Sequence, residues 1–156
     1  MLFFQSGFTP GDSAVNQLTD LYNTFVNALD QGKEIRVVFF DIKKAFDRVW
    51  HRGLLTKLKS IGISSKLHSW LSNYLSDRKQ KVLLPGAESK WSSLGAGVPQ
   101  GSILGPLLFL IFINDIVADI QANIRLFADD TSLYMVIENP NDSANILNLD
   151  ISRITK

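Results

Sequence analysis

Along this chain the spacing of apolar residues changes period several times, and each change predicts an element. After the turn-forming TPGD, residues Ala14, Leu18, Leu21, Phe25 and Leu29 recur at helical spacing, with Asp12 or Ser13 as N-cap and Gly32 as stop. An amphipathic helix is predicted there. The stretch IRVVFFDI, residues 35–42, is too continuously apolar and β-branched for a surface strand. It predicts a central strand covered on both faces, with Asp41 at its far end. Leu54, Leu55, Leu58 and Ile61 restore a helical stripe that Gly62 closes. A second helix, capped by Ser64 or Ser65, carries Leu67, Trp70, Leu71, Tyr74 and Leu75.

Further on, QKVLLPGAESKWSSL predicts two short strands around a Pro85-Gly86 turn. The glycine- and proline-rich stretch 95–106 leads into an apolar helix from Leu107 to Ile113, and two more strands flank Asp129-Asp130. A last helix follows Asn139-Pro140, with Asp142 or Ser143 as its cap. No repeat or low-complexity linker interrupts the chain, so one domain over residues 1–156 is expected.

Composition narrows the class. With 156 residues, 46% of them apolar, the chain can build a core, and its lack of cysteine excludes disulfides and cysteine-based metal or nucleophile sites. The longest apolar run, Leu107 to Ile113, is far short of the roughly 20 residues of a membrane span. No membrane association is expected. No stretch has the order of a signal peptide, so an intracellular location is expected, whether nucleus or cytoplasm. The net charge of +1 conceals an asymmetry: residues 33–90 hold 13 Lys/Arg against 5 Asp/Glu, and the remainder holds 3 against 10. A basic middle beside an acidic remainder fits a surface for polyanions next to a site for cations.

Three acidic residues change the picture most. Asp41 ends an apolar strand, and Asp129-Asp130 interrupt apolar, β-prone sequence on both sides. If those strands share a sheet, three carboxylates meet at its edge, and such a cluster repels itself unless divalent cations neutralise it. Hard oxygen ligands of this kind suit Mg²⁺, which takes one or two carboxylates plus substrate phosphates. A pair of such ions can activate an attacking oxygen and stabilise a leaving one in phosphoryl transfer. An Asp-Asp pair in a hairpin is also ordinary turn chemistry, and the third strand-end aspartate is what tips the balance.

The stretches FFDIKKAFDRVWHRGLL, GVPQGSILGPLLFLIFINDI and FADD, in this order, resemble the three palm motifs of reverse transcriptases of the non-LTR (LINE-type) retrotransposon class. QSGFTPGDSAVNQL and WLSNYLSDRKQKV resemble neighbouring segments of that family, so the resemblance runs from about Gln5 to the end. It implies an α/β (α+β) right-hand polymerase palm, with an antiparallel central sheet, helices packed on one face and a small part of the fingers. The start of the fingers and the thumb are expected to be missing, which makes residues 1–156 a partial reverse transcriptase domain. The implied activity is RNA-directed DNA synthesis: dNTPs are added to a DNA primer 3′-hydroxyl on an RNA template with two Mg²⁺ ions, Mn²⁺ being the alternative.

By the same resemblance Asp41, Asp129 and Asp130 are catalytic. They bind metal together with the carbonyl of Ile42. The backbone amides of Lys44 and Ala45 face the triphosphate, Phe46 lies under the sugar and excludes a 2′-hydroxyl, and Gln100 and Gly101 adjoin the nucleotide or template. Asp115 is read as structural, and His51 and His68 as surface or packing residues. Two other functions compete. A catalytically inactive nucleic-acid-binding remnant would keep the basic middle, and an RNA-directed RNA polymerase would need room where Phe46 stands.

Overall fold

The computed structural model describes residues 4–138 and 140–155. In chain order the elements are α1 (Ala14–Asp30), β1 (Glu34–Phe40), α2 (His51–Ser60), α3 (Ser65–Leu75), β2 (Lys79–Gln80), β3 (Leu83–Leu84), β4 (Ala87–Glu88), β5 (Ser92–Ser93), α4 (Leu104–Ile113), β6 (Asn123–Phe127), β7 (Asp130–Ile137) and α5 (Pro140–Ile154). Short 3₁₀ turns at Phe46–Arg48 and Asn114–Val117 complete the list. The fold is mixed α/β with antiparallel sheets. The chain divides into two compact units, Met1–Lys43 with Asn114–Lys156, and Lys44–Ile113. No helix among the described residues is long and apolar enough to cross a membrane.

The first unit is built on a three-stranded antiparallel sheet of order β1-β7-β6. β1 is therefore an edge strand rather than the central one, and Phe39 is 74% exposed. An apolar, β-branched run reports fitness for a pleated, half-buried surface, not position within a sheet. The centre belongs to β7, which pairs on both sides, Phe40 with Thr131 and Phe127 with Asp130 closing the two ladders.

Because successive strand residues face opposite ways, Leu133 and Tyr134 divide the unit into two layers. Leu133 joins Ile124, Leu126 and Leu147 of α5 in a buried cluster, against which Val38, Phe40 and Ile151 pack. Tyr134 meets Phe25 of α1 edge-on, with ring centroids 5.4 Å apart. Helices thus cover both faces of this sheet, where one covered face was expected. In α1 the inward stripe is Leu21, Phe25 and Ala28, whereas Leu18 and Leu29 are exposed. Ser13 is its cap, accepting from the Asn16 N–H at 3.1 Å. Of the expected start of α5, Asn139 lies outside the described residues. Pro140 already stands in the helix, so Asp142 and Ser143 fall within its first turn rather than at a cap.

The second unit packs α2 against α3 and α4. Leu54 and Leu58 of α2 and Leu71 and Leu75 of α3 are buried. The Lys57 ammonium sits 4.7 Å from the Phe112 ring centroid and donates to the Phe112 carbonyl. Pro85-Gly86 forms the expected turn between β3 and β4, and a second two-residue ladder joins β2 to β5. α4 begins at Leu104, three residues before its expected start. The Ser102 hydroxyl accepts from the Gly105 N–H at 2.9 Å, and Pro106 is tolerated in a first turn whose N–H groups lack helical partners.

Candidate active site

In the first unit, Asp41 is the first residue beyond β1, and Asp130 is the first residue of β7. The register Phe40↔Thr131 makes Asp41 and Asp130 the next positions along the two paired strands. Asp129 precedes Asp130 in the two-residue turn that joins β6 to β7. The strands therefore share one sheet, as the carboxylate argument required. Asp41 and Asp130 are exposed and Asp129 is half-buried. Among the described residues, no ion pair engages any of the three.

The donor set is all carboxylate oxygen, which fits a hard cation such as Mg²⁺ and not a thiophilic metal. Three His, Cys, Asp or Glu side chains close enough to share one ion do not occur among the described residues. The carboxylates thus lie at adjoining strand ends without forming a closed three-ligand cage. The carbonyl of Ile42 follows directly on Asp41.

Residues the sequence reading did not single out surround the turn. Ala128, the first of its two central residues, has φ +56, a value that tight hairpins usually reserve for glycine. Gln5 is buried, and its side-chain oxygen accepts from the N–H groups of Ala128 and Gly7, both at 2.8 Å, while its amide donates to the Ala128 carbonyl at 3.3 Å. Gly7 runs so close that a Cβ there would stand 2.2 Å from the Ala128 nitrogen. From α1, Gln17 donates to the Leu126 carbonyl at 3.0 Å. On the same segment, the Ser6 hydroxyl beside Asp12 holds its carboxyl below the usual carboxylate range. No hydrophobic period marks a buried glutamine; the QSG stretch was legible only through its resemblance.

Lys44, Ala45, Phe46, Gln100 and Gly101, the residues the resemblance sets against substrate, all belong to the second unit, and of these Lys44 and Gln100 line its cleft. Lys44, Asp47, Arg48, Arg78, Lys79 and Gln100 line a cleft of about 610 Å³. The Gln100 amide donates to Asp47 at 3.1 Å, and the Val98 N–H donates to the Phe46 carbonyl at 2.9 Å. Phe46 is half-buried and stacks on Phe109, with centroids 4.4 Å apart and planes 19° from parallel. Ala45 is buried and Lys44 has φ +55. A Cβ at Gly101 would meet nothing within 4 Å, and its φ of +77 is what calls for glycine. His51 and His68 meet the carbonyls of Gly97 and Leu55 at 2.7 and 2.9 Å, which is packing rather than metal geometry.

Comparison with known proteins adds one family and three relatives. The family described as reverse transcriptase (RNA-dependent DNA polymerase) matches over residues 1–151. A probable RNA-directed DNA polymerase from transposon BS of Drosophila melanogaster is 38% identical over 137 residues, 83% of this chain and 15% of its own length. The RNA-directed DNA polymerase from mobile element jockey of Drosophila funebris is 37% identical over 138 residues, with the same shares. A retrovirus-related Pol polyprotein from the type-1 retrotransposable element R2 of Popillia japonica is 30% identical over 121 residues, 76% of this chain and 17% of its own length. The chain therefore spans about a sixth of the length of these curated relatives.

Proposed function

We propose, from the premise that this chain belongs to the reverse transcriptase (RNA-dependent DNA polymerase) family, that it forms the palm of an RNA-directed DNA polymerase. In this reading Asp41, Asp129 and Asp130, with the Ile42 carbonyl, hold two Mg²⁺ ions. When bound, these ions lower the pKa of a primer 3′-hydroxyl and neutralise the leaving pyrophosphate. The chain's own part is positioning: the paired ends of β1 and β7 fix where the carboxylates stand, so little reorganisation is needed during transfer. Phe46, braced by Phe109, presents a ring too bulky for a 2′-hydroxyl. Lys44, Arg48, Arg78 and Lys79 supply cations for phosphates, with Gln100 beside them.

The observation that supports this reading is the β1–β7 register, whose last pair, Phe40↔Thr131, leaves Asp41 and Asp130 as the next residues of the two chains, with no cation partner among the described residues. The test is Mg²⁺-dependent dNTP incorporation on a primed RNA template by a full-length polymerase carrying this segment. Asp129→Asn is expected to lower incorporation by about a thousandfold or more. Undiminished activity in that variant would refute the assignment. A second reading, binding without turnover, is favoured by the basic cleft alone. Salt-dependent primer-template binding without incorporation under any divalent metal would select it.

A further inference from the structure

The turn that carries Asp129 is held from outside the hairpin. Ala128 occupies left-handed backbone without being glycine, at a cost of about 1–2 kcal/mol. A strained residue persists only where its surroundings over-determine it. Among those surroundings one side chain grips the residue itself: Gln5 accepts from the Ala128 N–H and donates to the Ala128 C=O, fixing both sides of the residue that starts the turn. The Gly7 N–H shares the same Gln5 oxygen. Main-chain bonds anchor the segment, with the Leu126 N–H donating to Phe4 O at 2.8 Å and the Ser6 N–H to Leu126 O at 2.9 Å.

We infer that Gln5 is a positioning residue for polymerisation: its amide sets the Ala128–Asp129 turn and so aims Asp129 and Asp130 at their cation. This inference rests on the polymerase reading. An aspartate presented by a loosened turn would still be charged and exposed, but it would spend less time where a metal and a triphosphate need it. A loss of this kind falls on turnover and on metal demand rather than on nucleotide affinity.

Two variants separate the parts of the clasp. Gln5→Leu keeps the bulk and removes all three bonds. Gln5→Glu keeps an acceptor for the two N–H groups and, ionised, loses the donor to the Ala128 carbonyl. In this chain, hydrogen exchange at the Ala128 amide is expected to quicken by about tenfold or more in Gln5→Leu and by less in Gln5→Glu. Exchange at Gln121 and Ala122, held elsewhere in the same unit by Asp150, should stay unchanged. In a full-length polymerase carrying this segment, kcat should fall by about tenfold in Gln5→Leu and the Mg²⁺ needed for half-maximal rate should rise, while the dNTP KM stays within about twofold. Gln5→Glu should be intermediate, and it carries the test if Gln5→Leu fails to fold. Unchanged exchange at Ala128 would overturn the inference, and so would a lowered melting temperature with kcat and Mg²⁺ demand at wild-type values. If Asp129→Asn keeps full activity, the polymerase reading fails and the positioning role fails with it; a loss in Asp129→Asn with none in Gln5→Leu rejects the Gln5 role alone.

Discussion

Asp150 shows how differently two kinds of carboxylate read in a sequence. Its side chain is wholly buried, accepting from the N–H groups of Gln121 and Ala122 at 2.9 and 2.8 Å and from Arg153 at 3.0 Å. Within NLDISR it stands between Leu149 and Ile151, and an acid in a helix of mixed polar and apolar positions reads by default as part of the solvated face. Asp41, Asp129 and Asp130 drew notice in the sequence because they break apolar runs. Asp150→Ala leaves the buried Ala122 N–H and the part-buried Gln121 N–H unpaired, and a loss of about 3 kcal/mol is expected in urea or thermal unfolding, with a smaller loss for Asp150→Asn. Phe46 was singled out through the resemblance, whereas its stacking partner, Phe109, was not. Phe46→Val in a full-length polymerase is expected to raise the ratio of rNTP to dNTP incorporation by about tenfold. An unchanged ratio would leave the ring a packing residue only.

Among the elements, helices and hairpins were legible from period and turn chemistry, and what they pack against was not. The 3.6-residue period located α1 correctly and included Leu21 and Phe25, yet it also took Leu18 and Leu29, which are exposed, and passed over Ala28, which is buried. A single helix offers several apolar stripes, and only the tertiary partner selects one. In the same way the apolar character of β1 foretold a strand but not its place at the sheet edge. The loop before α4 is a third case. Its glycines were read through Gly101, whereas the close approach is made by Gly97, whose φ is +93 and whose added Cβ would stand 2.9 Å from the Asp47 carbonyl oxygen. The Gly97 N–H also donates to the Val49 carbonyl at 2.9 Å. Gly97→Ala is expected to destabilise the second unit by about 1–3 kcal/mol and to speed exchange at the Val98 amide, whereas Gly101→Ala meets only the backbone cost of its φ.

At the scale of the molecule, the charge asymmetry read from the sequence coincides with the division into units. The unit Lys44–Ile113 carries ten Lys/Arg against three Asp/Glu, a net +7, and the other unit carries six against twelve, a net −6. The boundary itself was not legible, since the basic stretch, residues 33–90, begins inside the first unit and ends well before Ile113. If the cleft lined by Lys44, Arg48, Arg78 and Lys79 holds phosphates, Arg78→Gln should weaken primer-template binding for every sequence. It should also reduce the slope of log affinity against log salt by about one, measured by fluorescence anisotropy across a salt series. An unchanged slope would remove Arg78 from the contact. The sheet has a further property at this scale. β6 is one of its two edges, and the strip Phe4–Ser6 lies along it with a parallel bridge from Gln5 to Leu126. Uncovered, those backbone groups would offer a template for strand addition by another copy. A chain beginning at Gly7 should therefore self-associate through β6, growing with concentration in sedimentation and showing an intermolecular β band in the infrared, so the strip also acts as a guard against aggregation.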